Sequence, residues 1–109
     1  MPHGFPHLLA AIFAEVGATI ALRESQAFAR PVLGCAALAG YALAFWLLAH
    51  SLITVPLGIA YGLWAGVGTV GIVLAGWAIF NEVPSPSAWL GIGFVVLGVG
   101  LLGSEIPTR

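Results

Sequence analysis

Four apolar stretches of membrane-spanning length, joined by links too short to fold alone, set what this chain can become. They run from about Phe5 to Leu22, Val32 to His50, Leu57 to Phe80 and Ser87 to Gly103. About 20 apolar residues carry an α-helix across the hydrocarbon core of a bilayer. A helix also satisfies its own backbone polar groups in lipid, which an open strand cannot do. The expected fold is therefore an all-α membrane protein: a single four-helix transmembrane domain over residues 1–109. Composition agrees. The chain is 61% hydrophobic and 6% charged, whereas soluble domains are about 45–50% apolar and about 25% charged.

The links carry the punctuation. RESQAFARP follows the first span and holds Arg23, Glu24 and Arg30, and Pro31 suits the first turn of the next helix. SLITV leads to Pro56, and NEVPSPS makes a turn between the third and fourth spans. Met1 to His7 holds no Lys or Arg, so the first span reads as a retained helix and not as a cleavable signal. Arg23 and Arg30 lie on the side of the first and third links, with Arg109 and the α-amino group opposite. That is a weak orientation bias, compatible with either orientation or with both.

Glu15 is the one acidic residue placed well inside a span, within LLAAIFAEVGATIAL. A charged side chain at a helix centre costs roughly 2.5–3.5 kcal/mol even on lenient insertion scales. Carboxylates kept there bind cations, relay protons or pair with a buried base. The other spans hold no Lys or Arg. The expected partner comes from outside the chain: a proton or a cationic ligand.

The surroundings of Glu15 fit that expectation. Ala11 and Thr19 lie one turn to either side and leave room beside the carboxyl. Tyr61 and Trp64 share a face of the third span, and Tyr41 and Phe45 share a face of the second. Aromatic faces attract cations, most strongly when desolvated. Gly58, Gly62 and Gly66 recur every four residues on the third span, a pattern that lets membrane helices approach closely. Gly91 and Gly98, like Gly93 and Gly100, stand seven apart on the fourth span and make a narrow seam for a second copy of the chain. One chain has one intramembrane carboxyl and too few helices to enclose a cavity that opens to both sides. The expected assembly is an antiparallel dimer, joined mainly through the fourth helices.

Several function classes drop out. A net charge of −1 with three basic residues leaves no nucleic-acid footprint. The chain has no Ser/His or Cys/His set, no paired carboxyls within one chain and no metal-ligand cluster, so neither an enzyme nor a bound metal or cofactor is expected. His3 and His7 fit an interfacial position, with His7 two turns up the stripe of Glu15. Cys35 is a lone cysteine expected to be a small buried core residue. Beside cation antiport stands a second possibility, a structural subunit whose Glu15 pairs permanently with a base on another protein.

The motifs resemble the small multidrug resistance family of bacterial transporters along nearly the whole chain. The resemblance rests on AEVGAT at Ala14 to Thr19, SQAFAR at Ser25 to Arg30, FWLLA at Phe45 to Ala49 and PLGIAYGLWAGVGTV at Pro56 to Val70. It implies a multi-pass protein of the bacterial inner membrane: a proton-coupled antiporter for lipophilic or quaternary ammonium cations, built as an antiparallel dimer. Glu15 would bind protons and substrate in turn. Ala11, Ile12, Ala18, Thr19, Tyr41, Phe45, Tyr61 and Trp64 would line the cavity, Gly66 and Gly68 would bend the third helix, and Gly91 and Gly98 would form the dimer seam. Arg23 stands where the family usually has Lys, Gln26 and Ala27 replace a usual Glu-Gly, and His50 stands where Gln is familiar. The family also contains exporters of guanidinium compounds and obligate pairs of two different chains, so the substrate branch and the choice of homodimer or paired homologue stay open. Ala18-Thr19 and FWLLA look more like the multidrug branch.

Overall fold

The computed structural model describes residues 3–105. Arg109, assigned above to the face opposite Arg23, lies outside them. The described residues form four helices in the expected order: α1 (Phe5–Glu24), α2 (Pro31–Ser51), α3 (Leu57–Phe80) and α4 (Pro86–Gly103). Each is long and apolar enough to cross a membrane, and the described residues contain no strand.

Local chemistry sets the helix ends. Pro31 and Pro86 occupy first-turn positions, where the missing N–H costs nothing. Ser85 caps α4 by accepting from the Ala88 N–H at 3.2 Å. Asn81 ends α3 in the left-handed conformation at φ 57°, which Asn tolerates better than most residues. Beyond α1, the buried Ser25 hydroxyl donates to the Leu22 carbonyl at 2.7 Å and accepts from the Phe28 N–H at 3.1 Å. Gln26, Ala27 and Phe28 then take φ values of 50°, 57° and 68°. Left-handed backbone disfavours residues with a Cβ by roughly 1–2 kcal/mol each. Ala27 thus holds a backbone conformation that the Gly of the resemblance would adopt at less cost. The Phe28 ring covers Gly34, where a Cβ would fall 2.5 Å from Phe28 Cδ1.

Helix α1 packs against both α2 and α3, and α4 packs on α3. Small residues bring α1 and α2 together: Ala11, Ala18, Ala37 and Ala44 are buried, and a Cβ on Gly40 would lie 2.8 Å from the Cβ of Ala18. Gly62 and Gly66 receive Leu102 and Val99 of α4, so this part of the glycine row is a helix-packing surface. Gly58 faces open space. Helix α4 buries none of its own residues.

Two readings of the sequence need correction. Cys35 is exposed on α2, not buried. Gly34 and Ala37 take the inward positions beside it. A membrane helix is apolar all round, so hydrophobicity does not tell its inner face from its lipid face. Glu24 is the last residue of α1 and not part of the link. Arg23 likewise belongs to the last turn of α1, and its guanidinium pairs with the Glu82 carboxylate of the third link at 2.9 Å.

Candidate functional site

Glu15 sits mid-way along α1 and is half-buried. Its Oε2 atom is fully buried and has no hydrogen-bond partner among the described residues. Burying an unpaired polar atom costs about 1–3 kcal/mol, more when it carries charge. The carboxylate lies against Gly68 of α3, where a Cβ would stand 3.6 Å from Oε1 and 3.9 Å from Oε2. Gly68 is buried, and its missing side chain leaves room beside the carboxylate that a methyl group would just fill. The ion pairs of the described residues are Arg23 with Glu82 and Arg30 with Glu24, both away from this point.

Beside the carboxylate is a cavity of about 330 Å³ lined by Glu15, Phe45, Leu48, Tyr61, Trp64 and Ala65. Three helices contribute to it. Trp64 is 8% exposed and forms a fixed wall, packed in the core with Leu8, Ile12 and Leu63. Its ring centroid lies 5.5 Å from that of Phe45, with the rings tilted by 58°. Phe45 and Tyr61 are 58% and 65% exposed. The cavity thus has one firm aromatic wall and two aromatic sides open to lipid or to another chain.

The structure brings three of the eight expected cavity residues, Phe45, Tyr61 and Trp64, together with Glu15. It places the others elsewhere. Ala11, Ile12 and Ala18 are buried in helix packing. Thr19 and Tyr41 join α1 to α2 through their hydroxyls at 2.7 Å. Thr19 donates its proton to the Glu15 carbonyl at 2.9 Å, so Tyr41 is the donor in that pair. Gly66 lies under Val99 of α4, within an α3 that is helical from Leu57 to Phe80. Gly91 and Gly98 face open space, with nothing within 4 Å of an added Cβ. His7 packs beside His50 with ring centroids 5.8 Å apart, and His50 packs on Trp46 at 4.1 Å. Leu48 and Ala65 were missed as cavity residues. Leu48 follows Phe45 by three positions and Ala65 follows Tyr61 by four, so helical spacing from the aromatics would have found both.

Four membrane-spanning helices and short links define a small multi-pass membrane protein whose chemistry must sit between its helices. The model of the Small Multidrug Resistance protein family matches residues 3–97, and the chain belongs to that family. It is 41% identical over 95 residues to a quaternary ammonium compound-resistance protein, QacF, of Klebsiella aerogenes, covering 87% of this chain and 86% of that one. It is 42% identical over 96 residues to the multidrug resistance protein Mmr of Mycobacterium tuberculosis, covering 85% and 88%. It is 38% identical over 95 residues to a spermidine export protein, MdtI, of Cronobacter sakazakii, covering 87% of each. The spans and the family place the chain in the bacterial inner membrane.

Proposed function

We propose that the chain is a proton-coupled antiporter that exports lipophilic or quaternary ammonium cations, with Glu15 binding protons and substrate in turn. One observation carries this reading: the half-buried Glu15 lines an aromatic-walled cavity and has one carboxylate oxygen, Oε2, that is buried without a partner among the described residues. A carboxylate in lipid needs a counter-charge or a proton. A bound organic cation supplies the charge, and Phe45, Tyr61 and Trp64 supply π-faces worth about 0.5–2 kcal/mol each for a cation held over them. A proton supplies the alternative. Both act on the same oxygens, so binding one expels the other, and exchange follows without a separate coupling site.

The names of the relatives point to cation export, and the cavity favours one branch. Three aromatic rings beside one carboxylate of each chain suit a bulky cation with apolar substituents, whose apolar groups the rings can cover.

Alternating access requires a route from Glu15 to each side in turn. In the dimer we propose, two oppositely oriented chains meet through α4, and exchanging their conformations turns an outward-open site into an inward-open one. The uncovered glycines of α4 and the open sides of Phe45 and Tyr61 leave surface for that second chain. No enzymatic step is needed anywhere in this cycle.

The test is cation binding and transport by Glu15→Gln. Calorimetry with a quaternary ammonium probe should give saturable binding for the unaltered protein and none for the variant. Export driven by a proton gradient in proteoliposomes should likewise vanish. A Glu15→Gln protein that exports at the normal rate would sink the proposal.

A further inference from the structure

The Glu15 cavity does not use the cluster at the other end of α1. There the Arg23 guanidinium lies 4.2 Å above the centroid of the Phe80 ring. It also donates to Glu82 Oε2 from Nη2 at 2.9 Å and from Nε at 3.2 Å. The fold builds this arrangement from α3. Asn81 turns the chain in left-handed conformation, the Glu82 N–H returns to the Gly76 carbonyl at 3.1 Å, and the Glu82 side chain folds back over Gly76. Gly76 leaves room for this, since a Cβ would fall 2.7 Å from Glu82 Oε1 and shift that carboxylate. Beside the cluster is a small open pocket of about 50 Å³, lined by Arg23, Phe80 and Glu82 together with Thr19, Ile72 and Gly76. It shares no lining residue with the larger cavity, yet Thr19 is one helical turn from Glu15.

A carboxylate beside an aromatic face is the chemistry of an organic-cation site, and here a guanidinium already occupies it. The occupant is held loosely. The Arg23 and Glu82 side chains are 53% and 56% exposed, and exposed ion pairs and exposed cation–π contacts are both weak. The geometry points to Glu82 and Phe80 as a second, peripheral organic-cation site at the mouth between the first and third links, filled in this state by the chain's own Arg23. Its ligands are guanidinium and small alkylammonium cations. A cation arriving at this mouth takes the place of Arg23, and the displaced guanidinium swings away from the pocket above Thr19. This site stands apart from Glu15 and does not depend on the reading given to that residue.

The experiment is solution NMR of the full chain in bicelles, with methylguanidinium as the probe. It uses a Glu15→Gln background, so that the intramembrane carboxylate contributes nothing. With Arg23→Ala added, the Gly76 amide and Phe80 ring signals should shift saturably as the probe is titrated. Adding Glu82→Gln should abolish the shift. Retaining Arg23 should raise the midpoint about tenfold, because the tethered guanidinium competes. Gly76→Ala, which pushes the Glu82 carboxylate aside without changing charge, should weaken probe binding in the Arg23→Ala protein. If Arg23→Ala does not give a folded spectrum, Arg23→Gln replaces it with the same expectation. No saturable shift once Arg23 is removed, or a shift that survives Glu82→Gln, overturns the proposal and leaves the cluster a structural clamp.

Discussion

The Glu15 carboxylate faces Gly68 across the α1–α3 contact, with 3.6 Å between Oε1 and the place where a Cβ would stand. That is ordinary van der Waals distance, so an alanine fits without moving either helix. Gly68→Ala should therefore raise helix stability by about 1 kcal/mol, the usual gain over an interior glycine. It should at the same time weaken cation binding, because the new methyl group covers part of the carboxylate. Reversible unfolding in mixed micelles and calorimetric titration read the two effects separately. Unchanged cation affinity in Gly68→Ala would place the bound cation on some other face of Glu15.

Competition for one carboxylate fixes the sign of the pH dependence. The cation binds the form without a proton, so raising pH should strengthen binding until protons no longer compete. If one proton leaves per cation bound, the gain approaches about tenfold per pH unit over the acid part of the range. Glu24→Gln should leave this curve unchanged, since Glu24 lies at the end of α1 beside Arg30. Affinity that stays flat from acid to alkaline buffer would remove the exchange mechanism.

The glycines of α3 and α4 separate folding from assembly. Gly66 lies under Val99, a β-branched side chain with little freedom to move. Gly66→Ala should cost about 1–3 kcal/mol of stability within one chain. Gly98 touches nothing in its own chain. Gly98→Leu should leave helix content and membrane insertion intact yet abolish both dimer and transport, as measured by cross-linking and export assays. A fully active Gly98→Leu protein would show that the chains do not meet at this seam.

Orientation gives a further check on the proposed antiparallel pair. Extra Lys residues between Arg23 and Arg30 should drive all copies into one orientation and sharply reduce transport. Co-expression with a copy biased the other way should restore it. Full activity from a uniformly oriented population would leave a parallel dimer as the better account.

The helices were legible because Pro31, Pro56 and Pro86 mark their starts and lipid demands about 20 apolar residues per span. Helix ends differ from the expected bounds by at most two residues, as at Glu24. Glu15 stood out as a candidate because a lone acid in an apolar run is costly, and in the structure its Oε2 has no hydrogen-bond partner among the described residues. Inward and outward faces were not legible. Cys35 and Ala37 sit in the same apolar run, and only packing tells the exposed one from the buried one. The bond from Arg23 to Glu82 spans 59 positions and depends on the left-handed turn at Asn81, which no periodicity announces. Ala11, Ile12 and Ala18 share the helix stretch of Glu15, yet they pack into helix contacts and do not border its cavity, a distinction set by where α2 lies.

Helix α4 buries none of its residues within its own chain. Substitutions on much of its surface therefore escape the constraint that core packing places on α1, α2 and α3. Such a helix can drift in sequence while the chain still folds. If chains pair through α4 as proposed, two copies arising by gene duplication could come to recognise each other in place of themselves by changes in this helix alone, leaving Glu15 and its aromatic walls untouched.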